Sequence, residues 1–205
     1  EWDVAQGRMY WTEETFNIHD VRLEERTQGS PELIEKSLQC YRPEDRRTII
    51  SAFEACVEKG EAYDFEFPFK TFAGRRLWIR TTARPVCADG RVVKVIGNIM
   101  DITRRKKSHD LLEARLRLSD LSQTLDTQAL LVAFLDEAEA LTGSRIGFVH
   151  FVEEDQKTLT LQTWSTKTRE SLCTVKGEGM HYPIEDAGVW VDCVKERKAV
   201  IHNDY

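Results

Sequence analysis

Histidine and cysteine are the side chains of this 205-residue sequence best suited to bind a metal or a prosthetic group. The five histidines are His19, His109, His150, His181 and His202. None belongs to a ligand motif such as His-Glu-x-x-His, so the sequence does not predict a zinc site. The five cysteines are Cys40, Cys56, Cys87, Cys173 and Cys193. They are scattered and never form Cys-x-x-Cys, a pattern that favours reduced thiols in a cytosolic compartment.

The motifs of common catalytic sites are absent from the sequence. It contains no phosphate-binding glycine loop, no nucleophile elbow, and no kinase or cyclase signature. The net charge of -6 argues against a general nucleic-acid-binding protein, because contact with phosphates requires a basic face. An enzyme would need a convergent set of acid, base or metal-binding groups that the sequence does not reveal. Catalysis is therefore expected in another part of a parent protein.

Asp101 and Thr103 lie between a predicted strand and a predicted helix. The preceding residues 92–100 are almost all apolar, as expected of a central strand that is covered on both faces. At a period of two, the side chains of Asp101 and Thr103 project from the same side of the strand end. Thr103 also suits the N-cap of the helix that follows.

Four basic residues, from Arg104 to Lys107, occupy the first turn of that helix. Each exposed positive charge costs about 0.3 to 1 kcal/mol there, because the helix dipole is positive at its N-terminus. We hypothesise that Asp101 holds Arg104 or another of these cations, so that strain in the sheet alters the exit angle of the helix. A capped helix with a solvated basic turn explains the same residues equally well.

An apolar stripe follows the corner at spacings of three and four. Its members are Leu111, Ala114, Leu118, Leu121 and Leu125. This spacing is typical of the a/d seam of a left-handed coiled coil, and charged residues such as Glu113 and Arg115 lie outside it. We therefore predict a parallel homodimer contact along a linker helix spanning residues 104–125. Packing of the stripe within its own chain is the alternative.

The residues before the corner predict an α+β domain with a five-stranded antiparallel sheet. Two short strands flank Gly7, helical segments extend to Val57, and three further strands follow. One face of the first of these three is aromatic, with Tyr63, Phe65, Phe67 and Phe69. That face is favoured as core, but the opposite face, with Trp78 and Arg80, could also face inward. The candidate pocket residues are Trp78, Arg80 and Asn98, and a filled core without ligand is equally compatible.

Several motifs in this part resemble a PAS sensory domain with its PAC segment. They are Glu1-Trp2-Asp3, Gly7 to Thr12, Tyr41 to Arg46, Gly60 to Asp64, Leu77 to Arg80, and Gly97 to Lys106. The match rests on their order and spacing over about half the chain, since none is specific alone. The resemblance implies a sheet that cups a pocket against helices, and detection of a signal for an effector such as a histidine kinase or diguanylate cyclase. It also implies a relay role for the Asp-x-Thr motif at Asp101 and Thr103.

Known PAS cofactors find little support in the sequence. A haem ligand is disfavoured, because His19 lies in a loop-like stretch and the helix at residues 44–57 contains no histidine. The light-sensing PAS branch uses a cysteine in an Asn-Cys-Arg-like motif, which the surroundings of Cys40 do not reproduce. Bilin attachment at Cys173 or Cys193 lacks supporting neighbours. Haem, flavin and bilin are each disfavoured, and the sequence assigns no cofactor.

Residues 126–205 predict a second, partial α+β unit. An amphipathic helix is predicted to end at Gly143. The apolar residues 146–152 predict a buried strand, and the alternation of apolar and polar residues at 158–164 predicts its hairpin partner. Together with Gly188-Val189-Trp190 and the closing run from Val200 to Tyr205, these segments resemble the first half of a GAF domain from bacterial sensor proteins. The resemblance implies a truncated domain.

The predicted organisation is a PAS/PAC domain at 1–103, a coiled-coil linker helix at 104–125 and a truncated GAF-like domain at 126–205. The predicted function is a sensory and dimerisation module of a bacterial signal-transduction protein, which relays a PAS signal to a downstream output domain of the same parent chain. A ligand-free module for dimerisation and spacing is the alternative. We expect a cytoplasmic fragment without membrane contact, cut from a longer protein that could be membrane-anchored, since no apolar run reaches the roughly 20 residues of a membrane helix.

Overall fold

The computed structural model describes residues 1–171, 181–186 and 188–202. The chain forms two compact units, Glu1–Ser108 and His109–Tyr205. Cys173 and the closing residues 203–205, which entered the sequence predictions, lie outside the described residues.

The first unit contains a five-stranded antiparallel sheet, as predicted. Its strands are β1 (Trp2–Asp3), β2 (Arg8–Met9), β3 (Tyr63–Lys70), β4 (Arg76–Ala88) and β5 (Arg91–Asp101). Their order across the sheet is β2-β1-β5-β4-β3. The turn between β4 and β5 consists of Asp89 and Gly90, with φ of 50° and 73°. Two successive positive φ values match the twist of a two-residue hairpin, and they explain why an Asp-Gly pair stands there.

Four helices begin in the first unit. They are α1 (Glu13–His19), α2 (Glu32–Gln39), α3 (Pro43–Lys59) and α4 (Thr103–Leu121). The Thr12 hydroxyl accepts from the Thr15 N–H at 3.2 Å and caps α1. Pro43 occupies the first turn of α3, where its missing N–H costs nothing, and Gly60 ends the helix at φ 73°.

The aromatic face of β3 covers the core, as the sequence favoured. Phe67 and Phe69 are buried there with Leu77 and Ile79 of β4. Because side chains alternate along a strand, the intervening residues of β3 and β4 lie on the opposite face. Helices α1, α2 and α3 therefore pack on the aromatic side of the sheet.

Helix α4 ends at Leu121, whereas the sequence predicted a helix through Leu125. The reason lies in the polar residues that follow: the Ser122 hydroxyl donates to the Ser119 carbonyl at 2.7 Å, and the Thr124 hydroxyl donates to the Leu121 carbonyl at 3.3 Å. Such local bonds compete with the helical backbone. Leu125 lies in the turn that follows α4.

The second unit is also α+β. Helix α5 (Thr127–Thr142) precedes β6 (Phe148–Val152), β7 (Thr158–Trp164), α6 (Thr166–Ser171), β8 (His181–Pro183) and α7 (Asp192–Glu196). The strands form an antiparallel sheet in the order β6-β7-β8. Asp126 caps α5 by accepting from the Ala129 N–H at 2.8 Å, and Gly143 ends it at φ 70°. The predicted helix and hairpin are both present.

Candidate functional site

A cavity of about 540 Å³ lies in the first unit, between the aromatic face of the sheet and the helices packed on it. The sheet contributes Thr81, Ala83, Val95, Gly97 and Ile99, and the helices contribute Thr15, His19, Leu33, Ser37, Ile49 and Phe53. This volume falls within the range of roughly 300 to 1,000 Å³ that is typical of small-molecule sites. The core is therefore not filled by its own side chains.

His19 is a buried titratable group beside the cavity, with 1% of its surface exposed. Its Nδ1 lies 2.7 Å from the Thr15 carbonyl oxygen, and its Nε2 lies 3.1 Å from the Ser37 hydroxyl. Because a carbonyl only accepts, Nδ1 carries the hydrogen and Nε2 accepts from Ser37. Burial lowers the pKa of His19 to about 4, so the ring is neutral at physiological pH.

The location of His19 differs from the loop-like stretch that the sequence indicated. It is the last residue of α1, and its ring stacks on Trp11 with 4.2 Å between centroids. The edge of the ring also meets Phe69, at 5.0 Å between centroids. Both ring nitrogens are thus hydrogen-bonded within the protein and the ring contacts two aromatic side chains, so it is held in one orientation.

Two tyrosines extend the polar wall from His19 across the cavity. The Tyr41 phenol interacts with the hydroxyls of Thr81 and Ser37, and the Tyr63 phenol interacts with Thr81. Burial raises the pKa of Tyr63 to about 12 and also raises the pKa of Tyr41. The wall therefore places several neutral hydrogen-bonding groups within an otherwise apolar cavity.

The register of the sheet places all three predicted pocket residues on its outer face. Asn98 borders the cavity but is exposed and lies opposite Thr82, out of phase with the inward-facing Ile99, and its functional role stays a prediction. The prediction that Trp78 and Arg80 line the pocket is wrong, because they alternate with the fully buried Ile79 and lie on the outer face. There the Arg80 guanidinium pairs with the Asp64 carboxylate, with 2.8 Å from Nε to Oδ1. The Trp78 ring lies 4.8 Å from the Lys106 Nζ.

Sequence reasoning missed His19, Ser37, Tyr41 and Thr81. Thr81 could have been found, because it shares the period of two with Leu77 and Ile79. His19 comes from α1 and Ser37 from α2, whereas Tyr41 lies between α2 and α3 and forms an isolated β-bridge with Phe69. Their convergence depends on how these segments pack on the sheet.

Three hydrogen bonds fix the corner between β5 and α4. The Thr103 N–H donates to Asp101 Oδ1 at 2.8 Å. The Trp78 N–H donates to Thr103 Oγ1 at 2.9 Å, and the Ile102 N–H donates to the Trp78 carbonyl at 2.8 Å. Thr103 is thus the first helical residue rather than the predicted N-cap, because its hydroxyl completes the hydrogen bonding of β4 instead of accepting from the helix.

The basic turn of α4 pairs with β3, not with Asp101 as we hypothesised. The Lys106 Nζ lies 2.8 Å from Glu66 Oε2, and Arg105 pairs with the other oxygen. Hydrogen bonds from Lys106 and Arg105 lower the pKa of Glu66. Within the described parts of the chain, neither Arg104 nor its basic neighbours form an ion pair with Asp101. The Asp101 carboxylate instead accepts from the Thr103 backbone.

The predicted dimer seam is only partly exposed. Ala114 is buried, Leu118 and Leu121 are half-buried, and Leu111 is 49% exposed. The most exposed leucines of α4 are instead Leu112 and Leu116, at 58% and 67%. The dimer itself stays a prediction.

Within the second unit, Glu139 of α5 is a buried acid with several partners. Its Oε1 accepts from the Ser165 hydroxyl at 2.5 Å and from the Thr168 hydroxyl at 3.1 Å. A Cβ at Gly147 would lie 2.8 Å from the same oxygen. This cluster ties α5 to the ends of β6 and β7, and it accounts for the glycine before β6.

Metal-binding and membrane-spanning features were sought in the described parts of the chain. Residues 1–171, 181–186 and 188–202 contain no group of three or more His, Cys, Asp or Glu side chains that could hold a metal ion. No described helix is long and apolar enough to cross a membrane. Burial raises the pKa of Cys40 to about 12, whereas Cys193 is exposed and its thiol donates to the Trp190 carbonyl at 3.1 Å.

Comparison with known proteins identifies two domain families. A PAS fold family model matches residues 8–99, and a GAF domain family model matches residues 124–205. The methyl sulfide methyltransferase-associated sensor of Methanosarcina acetivorans is 33% identical over an alignment of 113 residues that covers 51% of this chain. The matched region spans only 11% of the length of that curated relative.

Solved structures of sensory proteins are also similar to this chain. The sensory box histidine kinase/response regulator of Burkholderia thailandensis is 26% identical, covering 60% of this chain and 87% of its own, with a TM-score of 0.45. The N-terminal domain of a diguanylate cyclase with PAS/PAC sensor from Marinobacter aquaeolei is 18% identical, covering 51% and 94%, with a TM-score of 0.43.

The two family matches fall on the two compact units. The PAS match extends from β2 into β5 and includes most of the cavity wall, and the GAF match includes α5 and the strands of the second unit. Residues 8–99 therefore match the PAS fold and residues 124–205 match the GAF domain, and together they support a signal-sensing module in which a PAS region is followed by a GAF region.

Proposed function

We propose that the PAS cavity binds a small molecule and that its occupancy is relayed through α4 to an output domain of the same parent chain. In this proposal the module is a cytoplasmic homodimer whose contact includes α4, and the parent protein carries the catalytic or regulatory output. The observation that carries the proposal is the corner at Asp101 and Thr103, which joins the sheet below the cavity to the first turn of α4.

The corner is suited to a relay because the two strands that meet there, β4 and β5, carry residues of the cavity wall or their direct neighbours. Ile99 lines the cavity two residues before Asp101 on β5. Trp78, which donates its N–H to Thr103, directly follows the buried Leu77 and precedes the buried Ile79. A shift of either strand by a bound molecule would therefore change the first turn of α4.

Glu66 adds a second connection between the sheet and α4. It lies on β3 between Phe65 and Phe67, on the outer face, and it pairs with Arg105 and Lys106 of α4. The ion pairs lie at the protein surface, so each is expected to contribute little to stability. Their value for a relay is geometric, because they hold a third strand to the same helical turn.

Hydrogen exchange in the full chain tests the relay. The neutral aromatic probe N-phenyl-1-naphthylamine would be added, and amide exchange in residues 103–108 measured by mass spectrometry. Loss or gain of one hydrogen bond is worth about 0.5 to 1.5 kcal/mol, so a relay predicts a change of about twofold to tenfold in exchange rate. Thr103→Val should abolish this response, because the Trp78 N–H loses its side-chain acceptor.

Thr124→Val is the matched control. Thr124 lies in the turn after α4, and its hydroxyl donates to the local Leu121 carbonyl. This variant should keep the response. If the probe binds in the cavity and exchange in α4 is unchanged in the unmodified chain, the relay is wrong. The module would then be a spacer that dimerises without passing on the state of its cavity.

A further inference from the structure

The charge around the PAS cavity is one-sided. Among the described residues that line it, none is lysine or arginine, whereas Glu1, Glu14 and Glu54 are present. Glu1 pairs with Lys94 at 2.8 Å between Oε1 and Nζ, which offsets its charge. Glu14 and Glu54 are exposed. Two exposed carboxylates therefore border the cavity without an ion-pair partner among the described residues.

The interior of the cavity offers no group that could neutralise an anion. The buried groups of its polar wall are the imidazole of His19, the phenols of Tyr41 and Tyr63, and hydroxyls. The pKa of His19 is lowered to about 4, so the imidazole carries no positive charge near neutral pH. Transfer of an unpaired charged group from water into such an environment is strongly unfavourable.

Aromatic rings make up much of the remaining wall. The indoles of Trp2 and Trp11, the ring of Phe53 and the two phenols all line the cavity. Trp2 and Phe53 meet edge to face with 6.0 Å between centroids, and Tyr63 stacks on Phe65 at 5.8 Å. Rings in such arrangements favour flat, apolar ligands through dispersion and quadrupole contacts.

We infer that the PAS cavity takes an apolar, aromatic organic molecule without negative charge, and that it rejects carboxylates, phosphates and sulfonates. The inference rests on the proposed function of the cavity as a ligand site and adds the chemical class of the ligand. The hydroxyl groups of Ser37, Tyr41, Tyr63 and Thr81 offer hydrogen bonds to an uncharged polar group of that molecule, and Glu14 and Glu54 repel anions at the opening.

A matched pair of fluorescent probes tests the inference on the full chain. N-phenyl-1-naphthylamine is neutral, and 8-anilinonaphthalene-1-sulfonate has the same aromatic framework with one sulfonate added. Two variants of β5 define cavity binding: Ile99→Trp projects into the cavity, whereas Ile96→Trp lies on the outer face, where Ile96 is 37% exposed. Circular dichroism would compare the folding of both variants.

The neutral probe should bind, and Ile99→Trp should weaken it by about tenfold or more while Ile96→Trp leaves it unchanged. At the site that Ile99→Trp blocks, the sulfonate probe should bind with an affinity about tenfold or more below that of the neutral probe. The double variant Glu14→Lys, Glu54→Lys should reduce the ratio between the two probe affinities by about threefold at low salt.

The outcomes separate the two proposals. Equal affinity of both probes for the site that Ile99→Trp blocks would overturn the ligand class and leave the cavity as a sensing site. If neither probe shows binding that depends on Ile99, both the ligand class and the cavity as a ligand site are overturned. Should Ile99→Trp fail to fold, nuclear Overhauser effects from each probe to the methyl groups of Ile99 and Val95 in the unmodified chain give the same decision.

Discussion

Lowering the pH should destabilise the PAS domain through His19, because its buried ring must take up a proton. The folded-state pKa is about 4, whereas the ordinary value of 6.5 applies to the unfolded chain. Above about pH 6.5 the ring is neutral in both states and adds no pH dependence. Below that pH the unfolded chain binds more protons, so the free energy of unfolding falls as the pH falls toward 4.

The size of the effect follows from the two pKa values. A difference of roughly 2.5 between them corresponds to about 3 kcal/mol once the pH has fallen to 4, at about 1.4 kcal/mol for each pH unit. Between pH 7 and pH 5 the same two values give a loss of about 2 kcal/mol. The range from pH 7 to pH 5 is preferable for the measurement. At lower pH, carboxylates with lowered pKa, such as Asp20 and Glu66, also lose their contributions to the free energy of unfolding.

Two measurements on the full chain check this prediction. The ring nitrogen shifts of each histidine would be followed by nuclear magnetic resonance against pH, with His19→Gln used for assignment. Urea unfolding at pH 7 and pH 5 would be monitored through backbone amides of the first unit, so that the second unit does not enter the result. His19→Gln should remove most of the loss of about 2 kcal/mol between these pH values.

His150 provides the control, because burial also lowers its pKa although it belongs to the second unit. His150→Gln should leave the pH dependence of the first unit as it is in the unmodified chain. A ring of His19 that titrates near 6.5 in the folded protein would refute the argument from burial. An equal pH dependence in the His19→Gln variant would refute it as well.

Three further predictions concern α4 and its corner. Thr103→Val should lower the free energy of unfolding of the first unit by about 1 kcal/mol, because a backbone N–H at the end of β4 loses its acceptor; urea unfolding measures this. Leu116→Glu should weaken self-association in sedimentation equilibrium by about tenfold, if the exposed side of α4 forms the homodimer contact. Lys106→Gln should raise the pKa of Glu66 toward 4.5, as measured by carbon-detected nuclear magnetic resonance.

Each of these has a matched comparison. Thr124→Val should change the unfolding free energy by less than about 0.5 kcal/mol, and a loss equal to that of Thr103→Val would remove the special role of the corner. Arg115→Glu should leave self-association intact, and a chain that stays monomeric at high concentration without any substitution would end the dimer proposal. Lys107→Gln should leave Glu66 unaffected, since Lys107 is exposed and does not pair with it in the structure.

Local chemistry was enough to predict most elements of the fold. The helix that ends at Gly143 and the hairpin predicted at residues 146–152 and 158–164 both depend on neighbours in the chain. Alternation along β3 predicted its aromatic core face for the same reason. The order of several such motifs then carried the resemblance to PAS and GAF domains, which the family matches confirm. The domain boundaries at 103 and 125 and the relay stay predictions.

The sequence by itself determined the five strands of the PAS sheet, the position of the corner and the basic turn that follows it, because periodicity and capping act over a few residues. Only the tertiary structure decided that Trp78 and Arg80 lie outside the cavity and that His19 lies beside it. It likewise decided that Glu66, rather than Asp101, pairs with Arg105, a contact between residues 39 positions apart. Such contacts depend on how helices pack on a sheet, and no local pattern records that packing.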